Sequence, residues 1–244
     1  MLRQQRVVID RVEPQINCGE FYIKRVVGQL VEVSADVLVD GHDVIAASVL
    51  YKHENERTWK EHRMIPGFND SWHGSFTVAK QGFYEYKIQG WVDHALNWQY
   101  GIGRKIGDSQ HVKSELLEGV QYLEEIAHRA SPTEVSYLND LIAAFKDPGN
   151  YDWAVKEAVS DKLKDILEKY PAKLLQNSSQ ALKVYVDRKK ALFSTWYEFF
   201  PRSASRQKGV HGTFRDCEEL LPRVAKMGFD TLYFPPVHPI GEVN

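Results

Sequence analysis

Cysteine is scarce in this sequence: its 244 residues include two, Cys18 and Cys217, roughly 200 positions apart. A disulfide framework needs several cysteines, and a structural zinc site needs closely spaced Cys or His ligands. Neither CxxC nor HxxxH spacing occurs. We therefore expect two reduced thiols, and we predict no metal and no cofactor.

An excess of charge of either sign is also lacking. The chain has 31 Lys and Arg against 33 Asp and Glu, a formal net charge of −2. A nucleic-acid-binding surface would need a basic excess, so no nucleic acid partner is expected. No run approaches the roughly 20 apolar residues of a membrane span, and no apolar run follows the basic N-terminal residues. These absences predict a cytoplasmic protein without membrane contact.

Aromatic residues are plentiful, and much of the first half has the pattern of strands. Residues 5–110 contain short apolar stretches separated by turn residues, and 30–39 alternates apolar and polar side chains over much of its length. Asp40 and Gly41 form a typical turn before the next apolar stretch. This organisation predicts an antiparallel β-sandwich of immunoglobulin-like type.

The period then changes to that of helices. Apolar residues recur at helical spacing from about residue 112, in three segments of which the last spans about 153–170. Residues 181–187 again alternate as a strand. We interpret this strand as part of the sandwich, with the helical bundle inserted into it. The predicted boundaries are 1–111 and 179–192 for the sandwich and 112–178 for the bundle.

Residues 193–244 predict a third kind of structure. A buried-type strand over 192–201 precedes a helix over 214–227 with Thr213 as its cap, and a second strand spans 229–236. Strand, helix and strand form a βαβ unit, which cannot bury both faces of its sheet alone. We therefore expect this unit to belong to a larger α/β domain.

Few residues suggest chemistry. His238 follows the end of a predicted strand, where α/β barrels place their sites, and it could bind substrate or pack against Pro236 and Pro239. The glycines at 101, 103 and 107 do not fit a dinucleotide loop, and a loop of the sandwich is the preferred interpretation. Cys217, beside Asp216, is expected to be a structural thiol.

Other candidates are weaker. The βαβ segment contains no pair of carboxylates placed as a catalytic acid and base, because Asp216, Glu218 and Glu219 belong to a solvated helix face. Three histidines are expected at the surface, namely His53, His62 and His73. The tryptophans of the sandwich could form a carbohydrate-binding platform, but we prefer a core position for Trp72 and Trp91; the set is Trp59, Trp72, Trp91 and Trp98.

Several segments resemble one enzyme family. Residues 194–203 (STWYEFFPRS) and 228–241 (GFDTLYFPPVHPIG) are similar to the first two barrel strands of the α-amylase superfamily, glycoside hydrolase family 13. Together with 6–14 (RVVIDRVEP) and 90–93 (GWVD), they resemble the bacterial α-1,4-glucan:maltose-1-phosphate maltosyltransferases. The helical insertion resembles the bundle domain of that family. The resemblance implies that residues 193–244 are the first βαβ of an incomplete (β/α)8 barrel.

The resemblance implies a retaining transfer of maltosyl units from maltose 1-phosphate to an α-glucan end, with release of phosphate. It also implies a homodimer, with the sandwich and bundle contributing to the subunit contact. The family's Asp nucleophile and Glu acid/base follow later barrel strands, so the catalytic residues are expected beyond Asn244. The chain alone is then expected to be inactive. Two alternatives remain open, a glucan-binding module without catalysis and a purely structural interaction protein.

Overall fold

The computed structural model describes residues 6–238, and the chain forms two units, residues 1–186 and 187–244. We describe each unit separately. The strands that precede the helices are β1 (Val7–Glu13), β2 (Ile23–Val26), β3 (Leu30–Val39), β4 (Ile45–His53), β5 (Lys60–Arg63), β6 (Ile65–Pro66), β7 (Ser71–Thr77) and β8 (Gly82–Val92). The helices and the strands that follow them are α1 (His94–Gly107), α2 (Lys113–Ala127), α3 (Pro132–Lys146), α4 (Tyr151–Ala158), α5 (Asp161–Lys169), β9 (Leu174–Ser178) and β10 (Leu182–Asp187).

The strands of the first unit form two sheets over one core. One sheet has the order β1-β3-β7-β6, and the six-stranded sheet has the order β2-β10-β8-β4-β5 with β9 also beside β8. The alternation in β3 places Val31, Val33 and Val37 on its buried face. These side chains share a hydrophobic cluster with Tyr86 and Ile88 of β8. The sheets therefore pack face to face, as the alternating pattern predicts.

All five helices of this unit lie, in sequence, between strands that pair with each other. The first half of β8 pairs antiparallel with β10, where Leu182 faces Tyr86, and its second half pairs with β9, where Gln89 faces Ser178. The prediction of a returning strand over 181–187 is thus confirmed. The helical segment is an insertion between neighbouring strands of one sheet.

Between residues 94 and 178, the structure corrects the predicted secondary structure at three places. Residues 94–107, expected among the strands, form α1, and 174–178, expected in the bundle, form β9. The single helix expected over about 153–170 is broken into α4 and α5. Ser160 causes the break, because its side chain accepts a hydrogen bond from the N–H of Leu163 at 3.2 Å and caps α5.

The helices enclose their own apolar core. Residues from α1 to α5, including Trp98, Leu123, Leu141 and Leu163, form one buried cluster. A polar clamp joins the first turn of α3 to the end of α5. Glu134 accepts hydrogen bonds at 2.8 Å from both Lys169 Nζ and the Tyr170 hydroxyl. Lys169 first, then the Ser131 and Tyr170 hydroxyls, lower the pKa of Glu134 to about 2.

We expect Glu134→Gln to reduce the acid sensitivity of the fold. Because the pKa of Glu134 is lower in the folded state, its stabilising effect is complete above about pH 4.5 and is lost as the pH falls towards 2. Urea midpoints measured between pH 6 and 2.5 should therefore fall less steeply in Glu134→Gln than in the wild type. Glu124→Gln, which removes an exposed ion pair with Lys146, is the matched control. Equal slopes in all three proteins would contradict the prediction.

The second unit contains β11 (Trp196–Glu198), α6 (Phe214–Lys226) and β12 (Thr231–Tyr233). The two strands are parallel, with Tyr197 opposite Leu232, so the predicted βαβ unit is confirmed. Thr213 caps α6 as expected. The prediction of a buried-type strand over 192–201 is wrong, because β11 is three residues long and Trp196 is exposed. Within the described residues this sheet has two strands and does not close into a barrel.

Candidate functional site

The carboxyl ends of β11 and β12 form the candidate site of the second unit. Parallel strands end at the same edge of their sheet, and ligand sites of α/β folds lie at that edge. Phe199 and Phe234, which follow the two strands, meet edge to face with ring centroids 5.1 Å apart. Phe214 of α6 lies 6.1 Å from Phe234. Contacts among these three rings join the segments that follow β11 and β12 to the first turn of α6.

His238 is the last described residue and lies five positions after the end of β12. Its side chain is exposed. This position is compatible with a substrate-binding role, which stays a prediction. Pro239, the other residue against which it could pack, lies outside the described residues.

The carboxylates of the second unit have structural partners, and Asp230 precedes β12, at the opposite edge of the sheet. Asp230 accepts a hydrogen bond from the Thr195 N–H at 3.0 Å and lies 3.7 Å from Lys190 Nζ. Asp216 accepts a bond of 2.6 Å from the Thr213 N–H at the start of α6, and its hydrogen bonds with Thr213 lower its pKa. Glu198 is exposed at the end of β11. Glu242 lies outside the described residues.

The other sequence candidates have structural positions. Gly101, Gly103 and Gly107 lie within α1, so the expectation of a sandwich loop is wrong, and no phosphate-binding turn is formed there. Cys217 is buried in α6, and desolvation, followed by the charge of Asp216, raises its pKa. A buried thiol with a raised pKa is a poor nucleophile, as expected of a structural cysteine.

The tryptophans do not form an open platform. Trp72, Trp91 and Trp98 are buried, which confirms the preferred interpretation for the first two. Trp59 is half-buried between Lys52 and Lys87, whose Nζ atoms each lie 4.9 Å from a ring centroid. With three of the four rings buried, these tryptophans do not form one exposed surface on which a sugar could stack.

The three histidines expected at the surface divide between two environments. His62 and His73 are exposed, as predicted. His53 is buried, and its Nε2 lies 2.8 Å from the carbonyl oxygen of Gln81. Among residues 6–238, no group of three or more His, Cys, Asp and Glu is arranged to hold a metal ion.

A cluster between the six-stranded sheet and the helices was not found from the sequence. Two cationic side chains lie over the Trp91 indole. The Nζ of Lys173 is 4.8 Å from a ring centroid, and the guanidinium carbon of Arg63 is 5.7 Å from one. Arg63 also donates to the carbonyl oxygen of Glu168 in α5 at 2.9 Å. No local motif signals such a cluster, because its members are far apart in the chain.

Asp93 lies behind this cluster and caps α1. Its Oδ1 accepts a hydrogen bond of 3.2 Å from the Leu96 N–H, and its Oδ2 lies 3.7 Å from Arg63. Burial raises the pKa of Asp93, while Leu96 and Arg63 oppose that effect. The Trp91 N–H also favours the carboxylate, but no hydrogen bond of normal geometry joins the two groups. The cluster thus anchors the helices to the sheet.

Together, the two units define a class of protein: a two-sheet β-domain with an inserted helical segment, followed by a parallel βαβ unit. No helix in the described part of the chain has the length and apolar character needed to cross a membrane. The family described as alpha-1,4-glucan:maltose-1-phosphate maltosyltransferase, domain N/S, matches residues 5–188. The chain belongs to this family.

Individual relatives agree over nearly the whole chain. The alpha-1,4-glucan:maltose-1-phosphate maltosyltransferase of Chlorobaculum tepidum is 44% identical over 239 residues, which cover 98% of this chain and 36% of the relative. Its counterpart in Myxococcus xanthus is 39% identical over 96% of this chain and 36% of the relative. The counterpart in Mycobacterium tuberculosis is 32% identical over 98% of this chain and 38% of the relative. The chain therefore spans little more than a third of the length of these curated relatives.

Proposed function

We propose that this chain is the N-terminal, assembly portion of a maltosyltransferase that acts on α-maltose 1-phosphate and α-1,4-glucan. The transfer would retain the anomeric configuration, extend the non-reducing end of the glucan and release phosphate. The observation that carries the proposal is the match of nearly the whole chain to little more than a third of three such enzymes.

The fold supports this assignment of parts. We propose that the two-sheet domain is the immunoglobulin-like sandwich (1–111 and 179–192), that 112–178 belongs to the inserted bundle, and that 193–244 begins the catalytic barrel. In this arrangement α1 adds residues 94–107 to the bundle, and β9 adds residues 174–178 to the sandwich. His238 would then follow the second barrel strand and contribute to the substrate site.

Exposed apolar side chains at the parallel strands support the role in assembly. Trp196 and Tyr233 of the two-stranded sheet are exposed, as are Leu192 and Phe193 before it. Further barrel strands would cover such surfaces. We also propose that the complete enzyme is a homodimer, with the sandwich and the bundle contributing to the subunit contact. We propose that it is located in the cytoplasm.

A second candidate function is glucan binding by the sandwich itself. Three rings cluster on the outer face of the six-stranded sheet: Tyr185 lies 5.2 Å from Phe83 and 5.7 Å from Tyr22. Phe83 and Tyr22 are exposed. Ring faces of this kind can stack on the C–H faces of sugars, which the buried tryptophans cannot do.

A chimaera tests the main proposal. This chain would be joined to the part of the Chlorobaculum tepidum relative that follows the matched region, and phosphate release from maltose 1-phosphate would be followed with maltohexaose as acceptor. We expect release from the chimaera and none from this chain or from the remaining part of the relative alone. Release by this chain alone, or a folded but inert chimaera beside an active intact relative, would overturn the proposal.

The same preparations distinguish the second candidate. Affinity electrophoresis through glycogen should retard this chain, and Tyr185→Ala with Phe83→Ala should abolish the retardation. Without retardation of the wild-type chain, glucan binding by the sandwich is excluded while the assembly role stands.

A further inference from the structure

The first unit carries an open apolar groove of about 760 Å³, and all the residues that line it belong to this unit. It lies where the chain passes from β5 to β6 and is closed on the other side by helices α1 and α5. Its apolar walls include Val44, Met64, Trp72, Leu96, Tyr100 and Val159. The volume lies within the range of roughly 300–1,000 Å³ that is typical of small-molecule sites.

The groove has apolar surface that remains in contact with water. Tyr100 is 58% exposed and Ile65, which also lines the groove, is 72% exposed. Exposed apolar side chains that converge on a concave surface favour binding of an apolar group, because binding removes their surface from water.

The charges around the groove are unequal. Arg63, Arg104 and Lys164 line it together with a single carboxylate, Glu168. Lys164 lies 3.9 Å from Glu168 and Arg63 lies 3.7 Å from Asp93, whereas Arg104 makes no ion pair within the part of the chain that the structure describes. The groove therefore complements an apolar body that carries a negative charge.

Helix α1 gives the groove its depth. Leu96, Tyr100, Gly103 and Arg104 lie on one helical face and all line the groove. Glycine is unfavourable inside a helix, but a Cβ on Gly103 would lie 3.6 Å from Val159 across the groove. Because 3.6 Å is an ordinary contact distance, a side chain larger than that of alanine at this position would fill the groove next to Arg104.

An extended peptide is a poor occupant of this site. The neighbouring edge strand β6 has two residues, and the second is Pro66, which has no N–H to donate. Addition of a strand at this edge would lack the repeated main-chain hydrogen bonds on which such recognition depends. The site must therefore recognise its ligand through side chains.

We propose that this groove binds a small amphiphile with an apolar body and one anionic group, which is directed towards Arg104. The groove is lined by residues of the first unit alone, and its apolar walls suit an apolar body better than a sugar phosphate. It therefore does not depend on the proposed function, and each can fail without the other.

Two fluorescent probes of similar shape test the proposal. 8-Anilinonaphthalene-1-sulfonate has an apolar body and one negative charge, and N-phenyl-1-naphthylamine is its neutral counterpart. Titration of this chain with each probe should give saturable fluorescence with one equivalent bound. The anionic probe should bind about fivefold more tightly than the neutral one, which corresponds to about 1 kcal/mol.

Three variants locate the binding. Gly103→Leu should weaken both probes about tenfold, because the new side chain occupies the groove. Gly101→Leu is the matched control on the same helix, where a Cβ has no neighbour within 4 Å, and it should bind both probes like the wild type. Arg104→Gln should remove the preference for the anionic probe and leave the neutral probe unchanged.

The opposite results are equally clear. Equal binding by the Gly103→Leu and Gly101→Leu variants, with unchanged circular dichroism, would place the probes elsewhere and overturn the proposal. No saturable binding by the wild type would do the same. If the probes bind only at low protein concentration and are lost as the chain dimerises, the occupant is a second copy of the chain and not an amphiphile.

Discussion

Gly119→Ala is expected to lower the free energy of unfolding of the first unit by about 2 kcal/mol or more, because it overpacks the helical core. Gly119 lies on α2 directly against the Trp98 indole. A Cβ at this position would lie 2.6 Å from Cε2 of Trp98 and closer still to Cζ2. Trp98 cannot easily move, since its Nε1 donates a 2.7 Å hydrogen bond to the Glu115 carbonyl. Urea denaturation followed by circular dichroism measures the effect.

The same substitution at Gly101 is the control and should have the opposite sign. Gly101 is also inside a helix, but a Cβ there meets no atom within 4 Å. Alanine reduces the conformational freedom of the unfolded chain, so Gly101→Ala should stabilise by about 0.5–1 kcal/mol. If the two variants change the free energy of unfolding by the same amount, the close contact between Gly119 of α2 and Trp98 is contradicted.

Trp91→Ala is expected to destabilise the first unit by about 3–5 kcal/mol. The indole is fully buried between the sheet and the helices, with Lys173 and Arg63 over its rings. Its loss would leave a cavity where the helices contact the sheet. Both the apolar contacts and the cation–π contacts of the two side chains would disappear.

Trp91→Phe separates the indole N–H from the ring. Nε1 of Trp91 is buried without a hydrogen-bond partner of normal geometry, so its removal offsets part of the lost volume. We expect a cost of about 1 kcal/mol or less. Trp98→Phe is the matched comparison, because it breaks the hydrogen bond to Glu115, and it should cost more. An equal or larger loss in Trp91→Phe would show that its N–H is satisfied in the folded protein.

Helix α1 illustrates where prediction from the sequence fails. Its three glycines disfavour a helix, and the residues before it have the pattern of strands. The helix forms because Asp93 caps it and because Leu96, Trp98 and Ile102 are buried with the other helices. Tertiary packing supplies this stabilisation, and it cannot be calculated from local propensity alone.

The sequence does not predict strand β9, for a related reason. Leu174–Ser178 has no alternation of apolar and polar residues, and four of its five side chains are exposed. The segment is a strand because β8 extends beyond the end of β10 and offers its free edge. Pairing at a sheet edge depends on which strand lies next to the segment, and the segment's own sequence does not contain that information.

Residue pattern alone determined the division into a β-rich part, a helical part and a βαβ unit, because the apolar period changes from two to 3.6 and each period buries one face. It also predicted the return of the chain to the sheet at β10. Tertiary structure alone decided the apolar groove, the contact of Gly119 with Trp98, and the joining of Arg63, Trp91 and Lys173. These features bring together residues that are far apart in the chain, and their positions depend on how the sheets and helices pack.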